Sequence, residues 1–198
     1  MATPQSTSEF LNRRHAAYVE RQPVYEFLAD AYEGGRRFTD NHLFRFSPRE
    51  TQADFNRRKE QAVYPNLVRS TLGVYRDHVF KQGDSLRREI QQPDWERFVA
   101  NVDRNGAGAN EFWGTVAARA LLYGWMGVLV DMPLRPEIGR ELTRADMPVI
   151  GMAPYYVAVS PQHVVDWSLD EFGSLNWVHL VESVVDDAEP FTRRDTRD

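Results

Sequence analysis

The apolar residues of this chain change their spacing along the sequence. Up to Tyr123 they recur at three- and four-residue intervals, as in amphipathic helices, whereas from Val128 onward they form short runs and alternating pairs, as in strands. Helices followed by strands are typical of an α+β protein. The length of 198 residues and the 42% of hydrophobic residues allow one domain with a packed core. We therefore predict N-terminal helices followed by a small, mainly antiparallel sheet.

Proline, glycine and capping residues indicate where the helices begin and end. Pro23 predicts the start of a helix that ends at Gly34-Gly35, and Arg36–Phe46 is interpreted as a loop. Ser47-Pro48-Arg49-Glu50 has the pattern of a capping box and predicts a helix that runs to about Tyr64. The other predicted helical features are an apolar face formed by Val68, Leu72, Tyr75 and Val79, a short helix after Pro93 that places Trp95, Phe98, Val99 and Val102 inward, and a buried helix Asn110–Tyr123 that ends at Gly124.

The second part of the sequence predicts strands. Val128–Val130 is predicted as a buried strand and Tyr155–Val159 as a second strand, with a loop rich in proline and charge between them. Ser160–His163 is predicted as a capped turn, and Asp170–Gly173 as the turn of a hairpin that joins Val164–Leu169 to Leu175–Val185. No covering element follows the last strand, so we expect that the chain continues past Asp198 or that a partner chain covers this edge.

These elements suggest three parts of the chain. Residues 1–22 are predicted as a flexible N-terminal arm, residues 23–185 as one α+β domain, and residues 186–198 as a charged tail.

The composition excludes several classes of protein. No run approaches the roughly 20 apolar residues that span a bilayer, and Met1–Glu9 lacks the pattern of a signal peptide. The absence of cysteine excludes disulfides and thiolate metal sites, and the net charge of −5 argues against a general nucleic-acid binder.

The sequence contains no recognisable catalytic motif, and we predict no enzymatic activity, cofactor or metal site. A Gly-x-Ser-x-Gly elbow and paired histidines at metal-binding spacing are both absent. The glycine-rich run Asn105–Asn110 lacks the Lys-Ser/Thr of a P-loop and is interpreted as a loop between helices. One alternative stays open, a small metal-dependent phosphate-ester hydrolase in which Asp103 and Asp131, near the ends of elements, hold a divalent ion.

One basic cluster is a candidate contact site. Arg57-Arg58-Lys59 is the densest group of positive charges, and it could contact DNA or an acidic partner chain. Most of the basic pairs are interpreted as solvated helix faces whose positive charge is offset by nearby acids. The five tryptophans are assigned to the core or to subunit interfaces rather than to a base-stacking platform.

Four segments, taken in order, resemble the portal proteins of tailed double-stranded-DNA bacteriophages. The first is Asp30–Gly35, and the second runs from Tyr64-Pro65-Asn66-Leu67 to Tyr75–Phe80. The third and most specific is the run from Trp95 to Pro133, and the fourth runs from Tyr155-Tyr156 to the hairpin ending at Trp177-Val178. The residues that carry the pattern of the last two are Trp95, Phe98, Tyr123, Gly124, Asp131, Pro133, Pro161, Asp166 and Trp167.

This resemblance implies a fold similar to the wing region of a portal and a structural role in the virion. The chain would be one subunit of a cyclic ring, typically of twelve subunits, assembled in the host cytoplasm at a capsid vertex. Double-stranded DNA would pass this ring during packaging and ejection, and terminase, the capsid or scaffold protein and a head–tail adaptor would be its partners. The charged tail would continue into stem and clip segments. Another head–tail connector protein of the virion is an alternative.

Overall fold

The computed structural model describes residues 11–81, 93–133 and 152–182, together with the backbone of 185–186 and 194–195. The described part is an α+β protein in which six helices precede three two-stranded antiparallel sheets. The predicted fold class is therefore confirmed, although separate strand pairs replace a single sheet. The helices are α1 (Ala16–Glu33), α2 (Gly35–His42), α3 (Gln52–Gln61), α4 (Leu67–Phe80), α5 (Pro93–Ala100) and α6 (Ala109–Tyr123). The strands are β1 (Gly127–Asp131), β2 (Tyr155–Val159), β3 (Val164–Leu169), β4 (Leu175–Leu180), β5 (Val185–Asp186) and β6 (Arg194–Asp195).

The chain divides into two units. One unit is the continuous segment Phe27–Val159, and the other combines Met1–Glu26 with Ser160–Asp198. The boundaries predicted for the arm, the domain and the tail stay predictions. Residues 1–10 of the predicted arm lie outside the described residues. The same is true of residues 134–151, which form most of the predicted loop between Met132 and Pro154.

Helix α1 begins at Ala16, seven residues before the predicted start at Pro23. Proline is disfavoured inside a helix because it cannot donate to the preceding turn. Here the turn before it is held by Tyr18, which is buried and donates a hydrogen bond from its hydroxyl to the carbonyl of Gln162 at 3.0 Å. Residues 16–22, which the sequence suggested to be part of an arm, are therefore helical. The predicted end at Gly34 is confirmed.

The segment after Gly34 forms helix α2, so the loop predicted for Arg36–Phe46 is wrong over most of its length. Gly34 and Gly35 both adopt positive φ angles, which reverses the chain and starts a new helix immediately. Within α2 the Thr39 hydroxyl donates to the carbonyl of Arg36 at 3.1 Å. The contacts that hold α2 come from outside the helix, which is why its own sequence does not predict it.

Helix α3 begins at Gln52, not at the capping box predicted for Ser47–Glu50, and it ends at Gln61 before reaching Tyr64. Thr51 is the N-cap, because its hydroxyl oxygen accepts from the amide of Asp54 at 3.2 Å. Ser47 and Glu50 instead form a turn in which the amide of Glu50 donates to the carbonyl of Ser47. Two capping patterns follow each other here, one at Ser47–Glu50 and one at Thr51–Asp54, and the second forms the helix cap.

Helix α4 buries only part of its predicted apolar face. Val68 and Leu72 are half-buried, whereas Tyr75 and Val79 are exposed. The helix packs against α6 through Arg76 and Phe80, which lie close to Gly114. The predicted apolar face is therefore partly covered in the first half of the helix and exposed in the second half.

The core of the unit Phe27–Val159 surrounds α6. Its buried residues are Val102, Phe112 and Val116, and the ring of Tyr156 in β2 packs on Phe112 with centroids 5.7 Å apart. Gly124 ends α6 in the left-handed conformation, as predicted, and β1 follows within three residues. Strand β1 pairs with β2 over its full length. The prediction that β1 is buried is wrong, since Leu129 and Val130 are exposed.

The predicted hairpin is confirmed for β3 and β4, with Gly173 at positive φ in the turn. Strand β4 ends at Leu180, before the predicted Val185. Ser160 caps a single 3-10 turn, Pro161–His163, by accepting from the amide of Gln162 at 3.4 Å, as predicted. Strand β5 lies at the boundary predicted between the domain and the tail, and it pairs with β6 inside the predicted tail.

Candidate functional site

A buried carboxylate joins α1 to α2. Asp30 accepts hydrogen bonds from Arg37 and from the side-chain amide of Asn41 at 2.9 Å, and Nε2 of His42 lies 2.9 Å from the same carboxylate. Only 6% of the Asp30 side chain is exposed. Because all three partners belong to α2, this single acid fixes the angle between the two helices.

The linker between α3 and α4 closes the same corner from the opposite side. The Tyr64 hydroxyl donates to the carbonyl of Ala31 at 3.0 Å, and Asn66 donates to the carbonyl of Tyr32 at 2.6 Å. The Tyr64 ring stacks on Phe38 with centroids 4.2 Å apart. We call this group of residues the Asp30 corner: Asp30, Ala31, Tyr32, Arg37, Phe38, Asn41, His42, Tyr64 and Asn66.

The electrostatics of the corner favour the charged form of Asp30. Burial raises the pKa of this carboxyl. The hydrogen bonds from Asn41, His42 and Arg37 lower it by more than burial raises it, so the pKa lies below its ordinary value. A buried acid that is fully paired is a structural group, since its oxygens are occupied by neighbouring side chains. The paired Asp30 carboxylate therefore positions α1 and α2.

The lowered pKa of Asp30 predicts acid sensitivity of the fold. The Asp30 carboxyl binds a proton more readily in the unfolded state than in the folded state. Its contribution to stability is therefore complete above its pKa in the unfolded state, about 3.9, and is lost as the pH falls through its lower pKa in the folded state. We expect the melting temperature of the Asp30→Asn variant to fall less than that of the parent between neutral and strongly acid pH. Thermal melts at both pH values measure this difference. Asp40→Asn is the control, because Asp40 is half-exposed, and an equal effect from both variants would contradict the assignment.

The third and fourth resemblance segments also meet. Strand β1 pairs with β2, and the amide of Tyr156 donates to the carbonyl of Val102 at 2.7 Å. Phe98 packs on Tyr156 and on Trp95, with centroids 5.0 and 5.6 Å apart. Tyr123 is half-buried, and burial raises the pKa of its hydroxyl. Pro133 is half-buried just after β1. These residues build the fold around α6.

The two acids considered for a metal-dependent hydrolase have structural partners. Asp131 accepts from the Tyr155 hydroxyl at 2.8 Å and from the amide of Met132, and these hydrogen bonds lower its pKa. Asp103 accepts from the amides of Asn105 and Ala107 at 2.9 and 3.0 Å. These amides belong to the glycine-rich run, which is a loop between α5 and α6 as predicted. Nowhere in residues 11–81, 93–133 or 152–182 do three or more acidic or histidine side chains form a group able to hold a metal ion.

We expect divalent cations to leave the thermal stability unchanged. Asp131 already pairs with Tyr155, and binding a metal would replace that hydrogen bond at a strand end that is open to water. Thermal melts with and without millimolar Mg²⁺ or Mn²⁺ measure the effect. A rise in melting temperature that disappears in Asp131→Ala would favour the hydrolase instead.

The basic cluster of α3 is engaged in ion pairs. Arg58 forms two hydrogen bonds with Glu50, at 2.8 and 2.9 Å, and these lower the pKa of Glu50 to about 2. Lys59 donates to the carbonyl of Asp40 at 2.8 Å, and Arg57 lies 3.5 Å from Asp54 and is largely exposed. An open depression of about 400 Å³ lies between Glu50, Asp54, Arg57, Arg58, Gln61 and Ala62. Of the three cluster residues, Arg57 has the most exposed side chain, so a contact with DNA or a partner would depend mainly on it.

The remaining resemblance residues lie in the other unit, on the hairpin. Asp166 is buried and accepts from Arg13 at 2.6 Å and from the amide of Trp167 at 3.0 Å. His15 stacks on Trp167 with centroids 4.0 Å apart, and its amide donates to the carbonyl of Val165 at 2.9 Å. Pro161 is fully buried in the turn before β3. Residues 13–15 therefore bind along β3, within the range predicted as a flexible arm.

Sequence reasoning missed the Asp30 corner and the Arg13–Asp166 pair. Both depend on buried acids whose partners cannot be identified from the local sequence. Asp30 was identified only as part of a resemblance segment, and Asp166 only as one of the residues that carry the resemblance. A possible signal was the presence of both acids within otherwise apolar stretches, where a charge needs a partner.

No protein-family model matches the chain, and no curated protein matches it either. Among the helices that the structure describes, none has the length and the apolar character needed to cross a membrane.

Proposed function

We propose that this chain is a subunit of a phage portal, the ring at a capsid vertex through which double-stranded DNA is packaged and ejected. Its role is structural, with no catalytic residue. Terminase, the capsid or scaffold protein and a head–tail adaptor would be its partners, and the virion its location. The proposal starts from the four ordered segments of the sequence that resemble this family.

The observation that carries the proposal is that these segments contact one another in pairs. The first meets the second at the Asp30 corner, where Tyr64 and Asn66 bind the carbonyls of Ala31 and Tyr32. The third meets the fourth in the pairing of β1 with β2. Segments that belong to one folding pattern are expected to lie next to one another in space. Chance resemblances scattered along a chain are not expected to do so. The contacts support treating the segments as one folding pattern.

The exposed apolar surface of α4 favours an assembly over an isolated subunit. Leu67, Val74, Tyr75 and Val79 are all exposed on this one helix. Large exposed apolar patches on soluble proteins mark interaction sites. A ring subunit needs two different faces, one for each neighbour, so surplus apolar surface is expected on it.

Electron microscopy of the complete gene product tests the proposal. We expect negative-stain images to show closed rings with a central channel, and light scattering to give a mass of about twelve subunits. Labelling of intact particles should place the protein at a single vertex. A monodisperse monomer would sink the portal proposal, and rings located elsewhere in the particle would favour another head–tail connector.

A further inference from the structure

Charge is distributed unevenly along the chain. The segment Arg36–Lys59 contains seven basic and three acidic residues, a net charge of +4. The segment Ser160–Asp198 contains nine acidic and three basic residues, a net charge of −6, although the whole chain carries only −5. The two segments belong to different units of the fold. The sequence of each copy therefore contains one net-basic and one net-acidic region, and the described residues 160–182 of the second contribute four acidic and no basic residues.

Each of these regions also exposes large apolar side chains. In the loop Leu43–Glu50, which we call the aromatic loop, Phe44 is 80% exposed and Phe46 is 89% exposed. At the turn of the β3–β4 hairpin, Leu169–Leu175, which we call the hairpin tip, Phe172 is 85% exposed and Leu175 is 62% exposed. Exposed aromatic residues next to arginine are typical of protein–protein interfaces.

Hydrogen bonds hold both surfaces in shape. In the aromatic loop, Arg58 donates to the carbonyl of Phe44 at 2.6 Å, and the amide of Phe46 donates to Glu50 at 2.8 Å. At the hairpin tip, the carboxylate of Asp170 accepts from the amides of Phe172 and Ser174 at 2.9 and 2.8 Å. A surface that is already ordered loses less conformational entropy on binding, so these aromatic side chains are well suited to dock.

We propose that the aromatic loop of one copy of this chain docks onto the hairpin tip of a second copy. Charge complementarity selects this partner. Arg45 lies between the two phenylalanines of the loop and Arg49 follows them, whereas Asp170 and Glu171 precede the phenylalanine of the tip. Two loops or two tips would bring like charges together, whereas a loop and a tip attract. The contact is therefore head-to-tail, the type that generates rings. This inference rests on the proposed function in assigning the contact to neighbouring subunits of the ring.

Two variants, each with one surface disabled, test the contact. The loop variant combines Phe44→Ser with Phe46→Ser, and the tip variant is Phe172→Ser. All three side chains are exposed, so both variants are expected to fold as the parent does. Sedimentation equilibrium should show self-association at least about tenfold weaker for each variant alone. An equimolar mixture should form a one-to-one pair, because the loop variant keeps its tip and the tip variant keeps its loop.

The control is Val63→Ser, which removes an exposed apolar side chain outside both surfaces and should leave assembly unchanged. Parent-like assembly of both variants would overturn the inference and leave the ring proposal intact. A mixture that stays monomeric, while the parent associates, would also overturn it. Open chains of the parent, together with pairing in the mixture, would support the contact and contradict the closed ring. A parent that does not associate would overturn both.

Discussion

Replacing Phe112 by alanine is expected to lower the free energy of unfolding by about 3–4 kcal/mol. Phe112 is buried on α6 between Val102, Val116 and Tyr156, so the change removes aromatic packing and leaves a cavity. Urea denaturation followed by circular dichroism measures the loss as a lower midpoint with an unchanged slope.

Leu121→Ala on the same helix provides the matched control. Leu121 is exposed, so its truncation changes the same helix without opening a cavity, and the expected loss is within about 0.5 kcal/mol. Equal losses from the two variants would mean that α6 does not bury the face described above.

The Gly34→Ala variant is expected to lose about 3 kcal/mol, since two costs coincide at this position. The φ of 71° with a ψ of −157° lies in a region that essentially only glycine occupies, and it costs a residue with a Cβ about 1–3 kcal/mol. The added Cβ would also lie 2.7 Å from Nδ2 of Asn66 and 3.1 Å from the Tyr64 ring. Asn66 would have to move, although its side chain binds the carbonyl of Tyr32 and caps α4 by accepting from the amide of Arg69 at 2.9 Å.

Gly35→Ala separates the two costs. Gly35 has a similar φ angle of 61°, but a Cβ built there meets nothing within 4 Å. Its substitution should therefore cost only the conformational part, about 1–2 kcal/mol. Chemical denaturation of both variants gives the comparison. If Gly35→Ala were as damaging as Gly34→Ala, the close approach of Asn66 would not contribute to the stability of the Asp30 corner.

The elements predicted well from sequence are those whose determinants lie within a few residues. Helix α6 has a long apolar pattern and its own terminating glycine, and the β3–β4 hairpin has alternating residues around a turn containing Gly173. Ser160 and Pro161 define their turn locally. In each case the spacing of apolar residues and the special conformation of one glycine or proline act together, so the sequence predicts both the element and its end.

The elements predicted poorly depend on distant contacts. Helix α2 is held by Asp30 and by the ring of Tyr64, neither of which belongs to it. The start of α3 was misplaced because Glu50, which completes a capping pattern with Ser47, instead binds Arg58 eight residues later. The exposure of β1 was missed because an apolar run is typical of a buried strand, and the run itself does not indicate how many layers will cover it.

The candidate contact site at Arg57, Arg58 and Lys59 stays a prediction, and the sequence did not indicate the ion pairs that these residues form. The density of charge in Arg57-Arg58-Lys59 indicated a basic surface, but the sequence does not show that Arg58 and Lys59 are bound by Glu50 and Asp40. Ion pairing between residues 8 and 19 positions apart depends on how the helices pack. The same limit applies to Asp166, whose partner Arg13 is 153 residues away.

The anchoring of Arg13 and His15 on β3 has a consequence for the order in which the chain folds during synthesis. The segment Phe27–Val159 is continuous and emerges from the ribosome complete, so it can fold while translation proceeds. Residues 13–15 leave the ribosome first, yet their binding strand is made about 150 residues later. Forming such distant contacts is slow because a long loop must close. Residues 13–15 therefore cannot bind until β3 has been made, so the unit that contains both is expected to form after the unit Phe27–Val159.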